Sequence, residues 1–170
     1  EALLNVFAHE LSRRTKNAHL DPETIFDAIS AVHQRVKGAY AVVAIIAGYG
    51  LVAFRDPFGI RPLVMGRHDT LAGCEYLVSS ESVALDTLGF KMWRDVDPGE
   101  AVFISFDGQF HSRQCHPSPK LVPCIFEHVY FARPDTVIDG ISVYEARMKM
   151  GERLADKVKR VVPAMDIDVV

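Results

Sequence analysis

The sequence predicts an α+β fold in which an antiparallel sheet is covered by helices and is followed by the opening of an α/β unit. Three observations lead there. Two amphipathic helical stretches open the chain, and a series of short strand-like runs joined by tight turns follows them. Beyond a proline-rich stretch, an apolar strand-like run is followed by a long amphipathic helix.

The first helix is read from Leu3, Phe7 and Leu11, four residues apart, with Leu4 and Ala8 beside them. That spacing places the apolar side chains on one helical face. No Ser, Thr, Asp or Asn precedes Glu1 to take the free amides of a first turn, so the expectation is a chain cut from something longer. The second helix is better punctuated. Asp21 is the N-cap, Pro22 occupies the first helical position and Glu23 the first turn, and Ile25, Ile29, Val32 and Val36 form the stripe up to Gly38.

Strand-like runs follow at Tyr40–Ile46, Leu51–Phe54, Leu63–Met65, Tyr76–Val78, Ala101–Ile104 and Gln109–His111. Turn groups around Gly48, Asp56-Pro57-Phe58-Gly59, Asp97-Pro98-Gly99 and Asp107-Gly108 separate them. Short strands with tight connections imply antiparallel pairing, with the two helices on one face. Ser112–Pro123, SRQCHPSPKLVP, reads as a linker. Ile125–Phe131 is predicted as a strand, and Ser142-Val143-Tyr144-Glu145 as a capping box. The box opens a helix with Val143, Met150, Leu154, Val158 and Val161 on one side, and Asp166–Val170 then starts a further strand.

Composition excludes several functions. The 170 residues carry a formal net charge of −3 and no basic block, so no nucleic-acid partner is expected. The longest uncharged window, GAYAVVAIIAGYGLVAF, is short for a membrane span and is broken at Gly48-Tyr49-Gly50, so it reads as a hairpin of two buried strands. No signal peptide is read at the start, which makes the cytoplasm the expected compartment. Cys74, Cys115 and Cys124 are odd in number and lack the spacing of a disulfide framework or a zinc site. His9, His19, His33 and His68 show no ligand spacing either.

The stretch AFRDPFGIRPLVMG, Ala53–Gly66, concentrates the polar content of the sheet region. Pro57, Gly59 and Asp56 are explained by turn geometry. Arg55 and Arg61 require carboxylate or carbonyl partners, and they are expected to brace the turn against neighbouring carboxylates. In YLVSSESVALD the serines Ser79, Ser80 and Ser82 lack a glycine-flanked elbow and a nearby histidine, so a helix cap is preferred to a nucleophile. Arg133 and Asp135, at the exit of the 125–131 run, suit either a ligand site or an ion pair at a domain seam. No glycine-rich phosphate loop follows any strand.

Taken in order, GAYAVVAIIAGYGLVAFRDPFGIRPLVMG, YLVSSESVALDTLGF, RDVDPGEAVFIS and CIFEHVYFARPDTVIDGISVYEARMKMGERLA resemble the amidophosphoribosyltransferase family, glutamine-dependent enzymes that open purine synthesis. The resemblance implies that residues 1–112 are the C-terminal half of an N-terminal-nucleophile glutaminase domain, an α/β/β/α sandwich. Residues 113–124 would be a linker, and residues 125–170 the N-terminal part of an α/β phosphoribosyltransferase domain. The implied parent transfers ammonia from glutamine to phosphoribosyl pyrophosphate, giving 5-phosphoribosylamine. Its partners would be these two substrates and magnesium, in a homo-oligomer.

The family's nucleophile is an N-terminal cysteine that uses its own amine as base. That cysteine, the Asn-Gly oxyanion pair and the glutamine-binding aspartate are expected upstream of Glu1, and the phosphoribosyl-binding loop beyond Val170. Residues 1–170 are therefore expected to be inactive alone, with no catalytic residue among them. Two positions match functional ones in the family. Tyr130 is similar to a residue near the ammonia route, and a tyrosine packed in the domain seam is the other reading. Cys124 stands where some members ligate an iron–sulfur cluster, but one thiolate does not hold a cluster, so none is expected. The rival readings are a glucosamine-forming sugar-phosphate amidotransferase and a non-catalytic stand-alone scaffold module.

Overall fold

The computed structural model describes residues 1–15, 20–71 and 73–162. Helices α1 (Ala2–Arg14) and α2 (Pro22–Arg35) pack side by side. Asp21 caps α2 by accepting from Thr24 N at 2.7 Å. The α2 stripe buries Ile25, Ile29 and Val32 completely.

Strands β1 (Ala41–Ile46), β2 (Gly50–Arg55), β6 (Glu100–Ser105) and β7 (Phe110–Gln114) form one antiparallel sheet in the order β1-β2-β6-β7. Strands β3 (Val64–Thr70), β4 (Gly73–Ser79) and β5 (Lys91–Asp95) form a second, ordered β4-β3-β5. The two-residue period of a strand sorts the first sheet's side chains between two cores. Val52, Phe54, Ala101 and Phe103 face α1 and α2, joined by Phe7, Phe26 and Tyr40. Ala53 and Val102 face the other way and meet Leu63, Met65 and Val96 of the second sheet region. On the outer side of that sheet lies the short helix α3 (Ser82–Thr87). Its Leu85 sits 2.8 Å from the position a Cβ would take at Gly66, so β3 and α3 approach as closely as a glycine allows. The layering is α/β/β/α.

Beyond the sheets come a π-helical turn (Glu127–Phe131), a small hairpin of β8 (Val137–Ile138) and β9 (Ile141–Ser142), and helix α4 (Val143–Val161). Ser142 caps α4 by accepting from Glu145 N at 3.3 Å.

Several expectations change. Ile125–Phe131 is helical, not a strand. A seven-residue apolar run does not separate the two by periodicity. Here Ala132 N donates to Glu127 O at 2.9 Å, closing the wide five-residue turn of a π-helix. Strand β7 runs through Gln114, into the proline-rich stretch, and Cys115 just beyond it is buried against Phe26. Strand β5, KMWRD, and the β8–β9 hairpin have no counterpart in the sequence reading; the charged residues Lys91, Arg94 and Asp95 mask the first, and the second has two residues per strand. The expected strand at Asp166–Val170 and His19 lie outside the described residues.

Candidate functional site

The site grows from the turn after β2. Asp56 is fully buried, and its carboxylate accepts four backbone N–H groups: Phe58 N (3.0 Å) and Ile60 N (3.2 Å) on Oδ1, Arg61 N (3.1 Å) and Tyr40 N (3.3 Å) on Oδ2. The acceptor-only carboxylate thus organises the whole turn. Gly59, at φ 58°, occupies the left-handed region and leaves room for Pro98 and Leu121. The following linker lies against the turn through Lys120 N to Pro57 O (3.1 Å) and Val122 N to Phe58 O (2.7 Å).

Arg55 is 1% exposed, and all five of its N–H groups are used. Nε donates to Arg61 O (2.7 Å), Nη1 to Val96 O (2.9 Å) and Nη2 to Gly59 O (2.8 Å). The remaining two reach Asp139 Oδ1 (2.8 Å) and Oδ2 (2.9 Å) as a bidentate pair. Asp139 lies at the tip of the β8–β9 hairpin with φ 48°, and its backbone N donates to Asp95 Oδ1 at 3.1 Å. Burial pushes the Asp95 carboxyl above its usual range, aided by the neighbouring Asp139 charge.

Arg61 makes the second crossing. Its backbone is pinned at both ends, and its half-exposed side chain reaches Glu127 Oε1 at 2.7 Å and lies 5.8 Å from the Phe131 ring centre. Both arginines therefore pair with carboxylates 84 and 66 residues away along the chain, not with neighbours of the turn. This corrects the sequence expectation. Sequence proximity suggests local partners, whereas the hairpin and the π-helical turn fold back over the turn and supply remote ones.

The serine-rich stretch serves the same junction. Ser82 Oγ accepts from Val137 N (3.0 Å), and Glu81 Oε2 accepts from Arg133 N (3.0 Å) and Thr136 Oγ1 (2.8 Å). A helix does start here, but its N-cap residue Glu81 makes no side-chain cap bond. Arg133 and Asp135 form an exposed bidentate pair at 3.0 and 2.9 Å. On the far side, Arg147 of α4 donates to His128 O and Ala132 O, both at 2.8 Å, and so ties down carbonyls of the π-helical turn. Tyr130 projects from that turn and is largely exposed, 5.7 Å from the Phe131 ring.

Cys124 and His128 line a cavity of about 270 Å³ with Ile125, Ile141, Ala146 and Met150. Among the described residues no group of three or more His, Cys, Asp or Glu side chains converges on one point. Cys115 is a core thiol whose burial raises its pKa, which keeps it protonated and unreactive. His33 is buried within α2, and its Nδ1 lies 2.8 Å from Tyr40 Oη. Burial, and then the charge of His116, lowers its pKa to about 4. No described helix is long and apolar enough to cross a membrane.

No family model matches the chain. The chain is 60% identical over its whole length to an amidophosphoribosyltransferase of Pseudomonas aeruginosa and 55% identical to that of Escherichia coli, covering 34% of each. It is 43% identical to the Saccharomyces cerevisiae amidophosphoribosyltransferase, again over 34% of that protein. Among solved structures, it superposes on the glutamine phosphoribosylpyrophosphate amidotransferase from B. subtilis complexed with ADP and GMP. The TM-score is 0.72 at 34% identity, covering 89% of this chain and 31% of that one. A second structure, described as the allosteric regulatory enzyme of purine biosynthesis, gives a TM-score of 0.74 at 33% identity and covers 90% of this chain and 30% of that one. In sequence and in fold the chain is a relative of the amidophosphoribosyltransferases, and it spans about a third of their length.

Proposed function

We propose that the chain forms the junction of a glutamine-dependent phosphoribosyltransferase, between the layered sheets that would carry a glutamine site and the downstream segment that would open a ribose-phosphate site. The observation that carries this reading is the Arg55–Asp139 and Arg61–Glu127 crossing, placed in a sequence that matches amidophosphoribosyltransferases throughout its length. In the parent, water would cleave the glutamine side-chain amide to glutamate and ammonia. The ammonia nitrogen would then bond to C1 of phosphoribosyl pyrophosphate as the C1–oxygen bond breaks and pyrophosphate leaves. Ammonia must travel unprotonated to act as a nucleophile, so the route between the sites must stay dry. Tyr130 and Phe131, exposed on the π-helical turn, would form part of its wall. Magnesium would accompany the pyrophosphate.

The test uses the full reading frame that contains this chain. Given magnesium and phosphoribosyl pyrophosphate, it should release pyrophosphate with either glutamine or ammonia as nitrogen donor. Formation of an aminosugar phosphate from fructose 6-phosphate, without pyrophosphate release, would favour the sugar-phosphate amidotransferase instead.

A further inference from the structure

We propose that Arg61 is a positioning residue: by holding Glu127 and the Phe131 ring, it sets the π-helical turn that carries Tyr130 and so couples glutamine cleavage to ammonia use. This rests on the proposed function above. The two arginines of the turn contrast sharply. Arg55 is buried with every donor engaged, which makes it a fixed pivot. Arg61 differs in having a fixed backbone and a half-exposed side chain. Its N donates to Asp56 and its O accepts from Arg55, so any change in the turn moves the guanidinium directly.

What that guanidinium touches is a short helical element. Glu127–Phe131 is a single π-helical turn, a geometry that rarely persists without outside support. Its outside support comes from Arg61 on the Glu127 carboxylate and from Arg147 on the carbonyls of His128 and Ala132. Glu127 is buried, so its carboxylate depends on this partner. Arg61 reports from the sheet sandwich and Arg147 from α4. Tyr130 and Phe131 sit between the two grips, and Phe131 itself lies beside the Arg61 guanidinium. Release of the Arg61 grip would let the turn re-aim its aromatic side chains without unfolding either flank.

The experiment compares wild type, Arg61→Gln, Arg61→Lys and Glu127→Gln in the full reading frame. Glutamate formed and pyrophosphate released are counted in the same reaction, and ammonia-dependent pyrophosphate release is measured separately. The expected result for Arg61→Gln and Glu127→Gln is about fivefold more glutamate per pyrophosphate, the low end of couplings between distant sites, with the ammonia-dependent rate unchanged. Arg61→Lys should restore part of the coupling, since it keeps the charge but not the planar fork. An unchanged ratio in both Gln variants, or a parallel fall of the glutamine and ammonia routes, would overturn the proposal. If Arg61→Gln does not fold, Glu127→Gln carries the test alone. Absence of glutamine-dependent pyrophosphate release in wild type would instead sink the underlying functional reading, and the coupling role with it.

Discussion

Replacing Asp139 by asparagine removes the carboxylate hydrogen-bonded to a guanidinium that is 1% exposed, while keeping an acceptor oxygen and a residue that tolerates φ 48°. Breaking a buried pair by removing one partner costs about 3–5 kcal/mol, because the surviving charge stays buried. Three carbonyls still solvate Arg55, those of Gly59, Arg61 and Val96, so Asp139→Asn is expected near the lower end, about 3 kcal/mol. Asp139→Ala should cost about 1 kcal/mol more, for placing a Cβ residue without local hydrogen bonding in the left-handed region. Arg55→Met alone leaves a carboxylate and three carbonyls unmet. Combined with Asp139→Asn it should therefore cost less than the sum of the single changes, by about 2 kcal/mol. Urea unfolding followed by the fluorescence of Trp93, the single tryptophan, reads the global term. Hydrogen exchange at Val137 N and Val143 N, bonded to Ser82 Oγ and Thr136 O, reads the hairpin directly. A double-mutant coupling below about 0.5 kcal/mol, with unchanged hairpin exchange, would show that the two groups do not depend on each other.

Further outcomes follow from the same geometry. Asp56→Ala strands four N–H groups, that of Tyr40 buried and those of Phe58, Ile60 and Arg61 partly buried, and should cost about 3 kcal/mol, while Asp56→Asn, keeping one acceptor oxygen, should cost less; equal urea midpoints for the two would contradict the count. Gly59→Ala meets Pro98 Cγ at 2.9 Å and Leu121 Cδ1 at 3.0 Å in a left-handed backbone, so a loss of about 2 kcal/mol is expected in thermal or urea unfolding. His33 has a folded pKa of about 4 against 6.5 in the unfolded chain, so on acidification the unfolded state binds its proton first. Its contribution to stability is constant above pH 6.5 and falls by about 3 kcal/mol in total as the pH drops to 4. His33→Phe should flatten the stability profile in that window by the equivalent of one proton, and an unaltered slope would count against the buried neutral imidazole.

Much of the fold is legible in the sequence because local chemistry and tertiary environment agree. Asp21-Pro22 and the Ile25, Ile29, Val32 stripe announce α2, and the Gly48-Tyr49-Gly50 break announces the β1–β2 hairpin, since both signals lie within a few residues. The π-helical turn is not legible, because EHVYF holds no period that distinguishes it and its supports, Arg61 and Arg147, come from distant elements. The same limit applies to the site. The sequence marks Arg55 and Arg61 as needing partners, and Asp56 as a turn former, but gives no way to pair Arg55 with an aspartate 84 residues downstream. Proximity along the chain points only to the nearest carboxylates. Asp139-Gly140 offers a faint signal, a turn dipeptide between Val137-Ile138 and Ile141, which marks the hairpin and its aspartate tip.

Under the proposed function, the junction would keep the nitrogen of glutamine on an internal path to the sugar. The direct measurement gives the full reading frame glutamine labelled with nitrogen-15 at its amide, together with phosphoribosyl pyrophosphate and an excess of unlabelled ammonium, at a pH where most free ammonia is protonated. An aminated product carrying the label is expected in wild type, and largely unlabelled product in Arg61→Gln. Product nitrogen that matches the bulk ammonium pool in wild type would contradict this expectation.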